Sequence, residues 1–325
     1  MAEYAQAVAS PISGAGVRRG DRVFGGLSKG AGILVLVIMA AIAIFLIWRA
    51  IPSLTNNSSN FLTETQWLPD AVAPAKPQFG IAALAFGTLV SSVIAMALAV
   101  PIGIGIALFS VLYAPRPLAS ALAFVTDLLA AVPSIIFGLW GLEVLLPGSQ
   151  GIQIWMNDWL GWTVVFRNTL DLYGKSLFLA SLVLAIMILP TVAAVSREVI
   201  LQVPAGHKEA ALALGATRWE MVRMAVFPFA KPGMISAAML GLGRALGETI
   251  AVALILSAAF TINVHLTEPG GNSFAANIAL KWNEAGSNGL SALIASGLVL
   301  FVLTLTVNMI ARWIIARRAE FSGAN

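Results

Sequence analysis

Six long runs of apolar residues constrain the fold of this chain more strongly than any other feature. They occupy residues 30–48, 81–112, 118–146, 176–195, 232–260 and 290–310. A run of roughly 20 apolar residues crosses the hydrocarbon layer of a bilayer, which is about 30 Å thick. Charged residues make up only 10% of the 325 positions, against about 25% in soluble domains. The sequence therefore predicts an all-α membrane protein with six transmembrane helices.

Two of these runs contain residues that interrupt helices. The second run would extend about 48 Å as a straight helix, and it carries Pro101 and Gly103. The third run carries Pro133, followed by Ser134. Because proline removes a backbone donor, we expect a bend in each run, or an end of the second run that projects beyond the bilayer.

Basic residues are distributed unevenly between the segments that join the runs. With a cytoplasmic amino terminus, the outer segments hold Arg49, Lys76, Arg167, Lys175 and Lys281. The inner segments hold Arg18, Arg19, Arg22, Lys29, Arg116, Arg197, Lys208, Arg218, Arg223, Lys231, Arg312, Arg317 and Arg318. Since basic residues accumulate on the cytoplasmic side, the sequence predicts that both termini are cytoplasmic. The remaining basic residue, Arg244, falls inside the fifth run.

These patterns divide the chain into four segments. Residues 1–29 form a basic cytoplasmic segment, and residues 30–80 form the first transmembrane helix and an outer loop. Residues 81–318 form the transmembrane core, with a long inner loop at about 196–231, and residues 319–325 form a cytoplasmic tail. The first apolar run is longer than the core of a signal peptide and no small-x-small site follows it, so we interpret it as an uncleaved helix.

Several kinds of chemistry are excluded or not indicated. The chain has no cysteine, which excludes disulfides and thiolate metal sites, and neither histidine belongs to a metal-binding motif. Gly174-Lys175-Ser176 resembles the end of a phosphate-binding loop, but position 169 is Thr169 instead of the required glycine. No basic face interleaved with aromatics indicates nucleic-acid binding. We therefore expect no metal, no cofactor and no nucleotide site in this chain.

The long inner loop has the pattern of two helices separated by a glycine. A helix over about 205–214 is predicted to end at Gly215, because glycine adopts the left-handed conformation that caps helices. A second helix is predicted from Arg218 to Pro228. The small side chains of Ala210 and Ala211 would let the first helix enter a groove on another protein, where Glu209 could pair with a cation.

This loop resembles the EAA loop of binding-protein-dependent ABC import permeases. Glu209, Ala210, Ala211, Gly215 and Pro228 match the pattern of that loop, whereas Ala225 and Phe227 replace the usual isoleucine and leucine. The resemblance implies that 209–215 belong to a coupling helix that docks into an ATP-binding subunit. The alternative is an alanine-rich surface helix pair between two spans.

Two charges lie near the middle of the fifth run. Arg244 and Glu248 are four residues apart, which predicts that they share one helix face and lie within reach of each other. A charge at the bilayer centre costs about 2.5–3.5 kcal/mol on insertion scales, so such residues usually face a bundle interior or a wet pathway. A guanidinium suits an oxyanion such as phosphate, and a carboxylate could accept a hydrogen bond from a protonated phosphate. A structural ion pair is the alternative.

Glycines flank Arg244. Gly243 and Gly247 form the small-xxx-small spacing that brings transmembrane helices close together, and we interpret them as helix-packing residues. The acidic residue Asp127 also falls within a run, and its role stays open.

The same region is similar to the PstC-type permease of the phosphate-specific ABC importer. The matching stretches are residues 241–252, GLGRALGETIAV, and residues 130–141, AAVPSIIFGLWG. The resemblance, over roughly residues 80–318, implies a type I ABC importer permease fold, a substrate pathway through Arg244 and Glu248, and no catalysis by this chain. It implies a PstA-type sister permease, two PstB-type subunits that bind ATP and Mg, a PstS-type extracytoplasmic phosphate-binding protein, and residence in a prokaryotic plasma membrane.

Three alternatives remain at this point. A permease for sulfate or molybdate would share the inner loop, but it would not need Glu248 to accept a proton. A membrane signalling subunit that responds to phosphate would tolerate changes at Arg244 that abolish flux. An intramembrane enzyme is disfavoured because the runs contain no nucleophile–base or metal constellation.

Overall fold

The computed structural model describes the backbone of residues 19–319, and most of their side chains up to Trp313. Most of the predicted basic segment 1–29 and nearly all of the tail 319–325 lie outside the described residues. The chain divides into two units, Met1–Trp48 and Arg49–Asn325. Its elements are α1 Arg19–Asn56, β1 Trp67–Leu68, β2 Gln78–Phe79, α2 Ala82–Leu108, α3 Arg116–Ala130, α4 Ser134–Trp140, α5 Leu146–Leu160, α6 Leu177–Leu201, α7 Ala205–Ala213, α8 Arg218–Met221, α9 Phe227–Gly247, α10 Ile250–Ile255, α11 Phe274–Lys281 and α12 Ser287–Ala319.

Six helical segments of the described chain are long and apolar enough to cross a membrane, which confirms the predicted number. They are Arg22–Asn56, Ala82–Tyr113, Ser134–Leu160, Leu177–Leu201, Arg218–Gly247 and Ser287–Trp313. Some combine consecutive helices through a wider π-helical turn, as at Phe109–Tyr113, Gly141–Leu145 and Val222–Val226. The second, fourth and sixth segments match the predicted runs closely. The first contains its predicted run and extends about eight residues beyond it at each end, whereas the third and fifth differ from the prediction.

The third predicted run, 118–146, is two helices instead of one bent span. α3 ends at Ala130, and α4 begins after Pro133. The break has a local cause, because a residue that precedes proline is sterically driven out of the helical region. After the break the helix continues through Gly141–Leu145 to Leu160, so part of the predicted outer loop is helical.

The fifth predicted run, 232–260, is displaced toward the amino terminus. The helix that begins at Arg218 does not end at Pro228 as we predicted, but continues to Gly247. Pro228 directly follows the π-helical turn Val222–Val226, and a local π-helical turn of this kind accommodates a proline inside a membrane helix. Beyond Gly247 only the short helix α10 remains, and the chain from Leu256 to Ser273 is not helical.

The core of the second unit forms around α6, whose membrane segment is the most buried of the six. α6 packs against α2 and α9 through small residues. A Cβ atom added to Gly241 of α9 would lie 2.9 Å from Val192 Cγ2 of α6, and one added to Gly103 of α2 would lie 3.0 Å from Val192 Cγ1. Such close approach gives membrane helices the van der Waals contact that replaces a hydrophobic driving force in lipid.

The segments on the predicted outer side are held by two hydrogen-bonded carboxylates, exposed Asp70 and buried Glu268. Asp70 follows strand β1, and its two oxygens accept the backbone N–H groups of Gly286 at 2.9 Å and Gly289 at 2.8 Å at the start of α12. Glu268 accepts hydrogen bonds from Thr169 N at 2.6 Å, Thr169 Oγ1 at 2.7 Å and Asn263 Nδ2 at 2.6 Å. Each carboxylate therefore joins segments that are far apart in the sequence.

Candidate functional site

The candidate site is the break that separates α9 from α10. Gly247 ends α9, Glu248 is extended with φ −66° and ψ 126°, and α10 begins at Ile250. Two side chains satisfy backbone groups that the break exposes. Thr249 Oγ1 donates to the Gly247 carbonyl at 3.1 Å, and a Glu248 carboxylate oxygen accepts the Ala251 N–H at 3.2 Å. The break is therefore hydrogen-bonded by its own residues, as an interruption at membrane depth requires.

Arg244 lies in the last turn of α9 and is half-buried. One of its terminal nitrogens donates a hydrogen bond to Thr191 Oγ1 of α6 at 3.2 Å. A guanidinium has five N–H donors, so this contact orients the group and leaves further donors for another acceptor. Thr191 was not among the residues that the sequence analysis selected, because a hydroxyl in an apolar run gives no distinct signal.

Glu248 does not face Arg244. The prediction that the two residues share a helix face is wrong, because the helix ends between them. Glu248 points inward, with 9% of its surface exposed, and its carboxylate caps the first turn of α10. Between these two described residues no nitrogen–oxygen distance is within the 4.0 Å of an ion pair. The sequence thus identified two charges whose environments differ, and not a pair.

An open cleft of about 400 Å³ lies between α9 and α12 beside Arg244. Its lining residues are Ser236, Met239, Leu240, Gly243 and Arg244 from α9, and Asn308, Ala311 and Arg312 from α12. No acidic residue is among the described residues that line it. In the sequence, Arg312 indicates only the cytoplasmic side, and Asn308 gives no distinct signal. Only the pairing of α9 with α12 brings these residues together.

The predicted helix-packing glycines do not pack within the described chain. A Cβ atom added to Gly243 or Gly247 would meet no atom within 4 Å. Gly243 instead borders the cleft, where the absence of a side chain keeps it open. The tight helix contacts come from other glycines, including Gly241 and Gly233, whose added Cβ atoms would lie 2.9 Å and 2.4 Å from valines of α6. Spacing alone could not tell these glycines apart, because all lie on one helix.

The inner loop folds close to the predicted pattern. α7 spans Ala205–Ala213, and Gly215 has a φ of +84°, in the left-handed region that favours glycine. Thr217 and Glu220 form a reciprocal capping box that starts the next helix. No residue of α7 is buried, and Leu214 at its end is 90% exposed. A helix of this kind has an open surface for contact with another protein.

A groove of about 890 Å³ adjoins α7. Its lining residues are Gly206, His207, Ala210, Ala211, Leu214, Met224, Ala225, Pro228, Phe229 and Pro232. Glu209 lies on the exposed surface of α7 next to Ala210. The four selected residues of this loop, Glu209, Ala210, Ala211 and Gly215, therefore form one accessible region.

Asp127, whose role the sequence left open, lies near Arg197 of α6. The Asp127 Oδ2 and Arg197 Nη2 atoms are 3.5 Å apart, and Arg197 also contacts Glu198 at 2.9 Å. Asp127 is largely exposed, so this contact is a surface ion pair that contributes little stability. Within the described residues no group of three or more His, Cys, Asp or Glu residues could hold a metal ion.

Comparisons with known proteins give consistent results. The family model described as "Binding-protein-dependent transport system inner membrane component" matches residues 99–320. The phosphate transport system permease protein PstC 2 of Mycobacterium tuberculosis is 46% identical over 298 residues, which cover 91% of each chain. PstC of Mycobacterium leprae is 47% identical over 307 residues, which cover 93% of this chain and 95% of the relative.

Among solved structures, the chain is similar to one from a bacterial ABC transporter involved in the import of the acidic polysaccharide alginate. The TM-score is 0.52 at 16% sequence identity, and the match covers 91% of this chain and 99% of that one. At this identity the likeness concerns the fold alone.

Proposed function

Because this chain belongs to the PstC family of binding-protein-dependent permeases and has the type I ABC importer permease fold, we propose that it carries inorganic phosphate across the membrane by alternating access. The observation that carries the proposal is the position of Arg244. Its guanidinium lies at the end of an interrupted membrane helix, faces an open cleft, and is oriented by Thr191. The chain is a multi-pass membrane protein and a transport subunit of an ABC transporter.

The cleft chemistry supports an anionic cargo. A guanidinium binds phosphate through parallel N–H donors, and these charge-assisted hydrogen bonds are stronger than neutral ones. A charge at this depth is costly unless water or a charged partner compensates it, and a cargo that visits the site provides such a partner.

Glu248 enters the pathway in a different conformation. In the present one its carboxylate is buried and caps α10. When the helices reorient, the carboxylate can accept a hydrogen bond from a protonated phosphate and repel a fully ionised anion. Sulfate carries no such proton near neutral pH, so this residue would favour phosphate over sulfate.

The energy source lies in other subunits of the proposed complex. We assign α7 and Gly215 to docking in an ATP-binding subunit, through Glu209, Ala210 and Ala211, because this helix is exposed and adjoins the groove beside it. Two PstB-type subunits would bind and hydrolyse ATP with Mg, a PstA-type sister permease would complete the pathway, and a PstS-type protein would deliver phosphate. This chain binds no cofactor and catalyses no reaction in the proposal.

We place the chain in the plasma (inner) membrane of a prokaryote with both termini in the cytoplasm. The excess of Lys and Arg in the segments assigned to the inside supports this orientation. In this orientation α7 lies in the cytoplasm, where ATP is available, and the Asp70 and Glu268 contacts lie outside.

Uptake of labelled phosphate by the assembled transporter in proteoliposomes tests the pathway. Arg244→Gln should lower ATP-driven uptake about tenfold or more, the effect of losing one charge-assisted hydrogen bond. Lys76→Gln, which removes an exposed charge from an outer loop, is the matched control and should leave uptake unchanged. Wild-type uptake by a properly inserted Arg244→Gln protein would contradict the pathway, and displacement of the label by sulfate would point to a different oxyanion.

A second measurement tests the docking assignment. Glu209→Lys should separate ATP hydrolysis from phosphate uptake or release the ATP-binding subunit during purification. Glu284→Lys introduces the same charge change in an outer loop and serves as the control. If Glu209→Lys leaves uptake coupled to ATP hydrolysis, the docking assignment fails while the pathway assignment is unaffected.

A further inference from the structure

The cleft beside Arg244 is also lined by a second arginine, Arg312, which has no role in the proposed pathway. Arg312 lies on α12, one residue before the end of the last membrane segment at Trp313. Asn308 is four residues earlier, so the two side chains share one face of the helix. Both line the cleft together with Arg244.

Two guanidinium groups thus line one cavity, and none of the described residues that line it is acidic. Among the described side chains no carboxylate lies within 4.0 Å of Arg244 or Arg312. The nearby carboxylate of Glu248 is buried and bonded to Ala251 N. Arg244 is half-buried and Arg312 is exposed. Because like charges repel, two cations at one cleft favour an anion between or beside them.

Another arginine-lined cleft of this chain provides a contrast. The cleft beside Arg116 and Arg197 has about the same volume, 420 Å³. There Arg197 is paired with Asp127 and Glu198 at 3.5 Å and 2.9 Å. In that cleft one of the two arginines, Arg197, has carboxylate partners, whereas neither arginine of the α9–α12 cleft has one among the described side chains.

The size and polar lining of the α9–α12 cleft suit a partly hydrated oxyanion. A volume of about 400 Å³ corresponds to roughly a dozen water molecules at about 30 Å³ each. Asn308 offers amide donors to an anion. The Ser236 hydroxyl donates to the Pro232 carbonyl at 3.1 Å, so its oxygen is left to accept a hydrogen bond from water or from a protonated phosphate. Ser236, Leu240 and Arg244 follow one face of α9 over about 12 Å along its axis.

The cleft also has a direction. Arg244 lies in the last turn before the break, whereas Arg312 lies one residue before the end of the last membrane segment, on the side assigned to the cytoplasm. An anion that leaves Arg244 toward that side would meet Asn308 and Arg312 before it reaches bulk water.

We propose that the α9–α12 cleft is a second oxyanion site, in which Arg312 and Asn308 bind phosphate after Arg244 releases it on the cytoplasmic side. The site takes a tetrahedral phosphate group, and it rests on the proposed function because free phosphate must first cross Arg244. The same chemistry would also accept the phosphate of an anionic lipid headgroup, which is the second possible source of the ligand.

Uptake by the assembled transporter in two kinds of vesicle distinguishes these sources. Arg312→Gln should lower the maximal rate of phosphate uptake about tenfold in vesicles of phosphatidylcholine alone, and to the same degree with added phosphatidylglycerol. Arg312→Lys should recover part of the rate, because the positive charge remains. Arg116→Gln removes an inner-surface charge of the other cleft and should have no effect.

A thiol introduced into the cleft gives a direct readout of occupancy. The chain has no cysteine, so L240C creates a single thiol on this chain, at an exposed residue that lines the cleft and is not a proposed ligand. During turnover, phosphate should slow its reaction with a maleimide several-fold, and sulfate should not. This measurement keeps the proposal testable if Arg312→Gln protein assembles poorly.

Three outcomes would overturn the proposal. These are wild-type uptake by Arg312→Gln in phosphatidylcholine, a defect confined to vesicles with phosphatidylglycerol, and a labelling rate of L240C that phosphate does not change. The second outcome would assign the cleft to a lipid headgroup. Failure of the proposed function would look different, because the unaltered transporter would then import no phosphate at all.

Discussion

The Glu248 carboxylate can have two roles at the helix break, as an acceptor for a backbone N–H and as a contact for the cargo. Two substitutions distinguish these roles. Glu248→Ala removes the acceptor for the Ala251 N–H. Glu248→Gln keeps an amide oxygen of similar length in the same place and removes only the charge. If Glu248 serves the cargo as well as the backbone, both variants should impair transport, but only the first should destabilise the fold.

The magnitudes follow from the single contact at 3.2 Å between Glu248 and Ala251 N. A hydrogen bond to a charged group contributes about 1.5–3 kcal/mol, against about 0.5–1.5 kcal/mol for a neutral one. Glu248→Ala leaves a backbone donor unpaired at membrane depth and should cost about 2 kcal/mol. Glu248→Gln should cost less, about 1 kcal/mol, because an acceptor remains.

The assay combines stability and flux. The apparent melting temperature of the purified complex should fall by about 2–4 °C for each kcal/mol lost, so the alanine variant should melt several degrees lower than the glutamine variant. Phosphate uptake by Glu248→Gln should nevertheless fall about tenfold, the effect of about 1.4 kcal/mol. Sulfate should begin to compete, because the repulsion of a fully ionised anion is lost.

One result would refute this reasoning. If Glu248→Gln transports phosphate at the wild-type rate and still excludes sulfate, while Glu248→Ala is unstable, the carboxylate is a backbone cap alone. The pathway would then depend on Arg244 without an acidic partner.

Three further predictions concern contacts outside this carboxylate. Burial alone would raise the pKa of Glu268, but hydrogen bonds from Thr169 and Asn263 outweigh it and lower the pKa. This contact therefore stabilises the fold above the unfolded pKa of about 4.3, and its contribution is lost as the pH falls through the lower folded pKa. Glu268→Gln should make the melting temperature depend less on pH between pH 7 and pH 3. A pH dependence equal to that of the wild type would contradict this. Gly241→Ala should destabilise the complex by about 1–3 kcal/mol in thermal melts, because the added Cβ would overpack against Val192. Gly243 has open space around it, so Gly243→Ala should melt like the wild type. Thr191→Val should lower phosphate uptake less than Arg244→Gln does, because it removes only the bond that orients the guanidinium, and equal effects of the two would show that orientation is the whole contribution.

The sequence predicted the features that depend on local chemistry. Apolar runs gave the number of spans because the thickness of the bilayer sets their length. The end of α7 was predictable because Gly215 takes a φ of +84°, which few other residues adopt. Arg244 was found because a charge in an apolar run is costly.

What the sequence did not predict depends on which helices become neighbours. Arg312 and Asn308 join the cleft only because α12 packs beside α9, and their positions near a span end otherwise indicate topology. Gly241 and Gly243 differ by two positions on one helix, yet only Gly241 meets another helix. Neither distinction is present in hydropathy or spacing.

The break after Gly247 gives Arg244 and Glu248 different environments, and the spacing of the two residues in the sequence does not reveal this. The apolar run continues past residue 247, so hydropathy indicates an unbroken helix. A break there would expose backbone groups to hydrocarbon, at a cost of several kcal/mol each. Glu248 and Thr249 satisfy two of those groups with their own side chains, and the glycines of the third span let α10 approach closely, since a Cβ added to Gly138 would lie 2.8 Å from Ala251 Cα. The break is therefore stable because α10 packs on protein, and it turns Glu248 inward while Arg244 stays at the cleft. Arg244 and Glu248 have different environments because the helix is interrupted between them. Helical spacing assumes no interruption and therefore predicts one shared face.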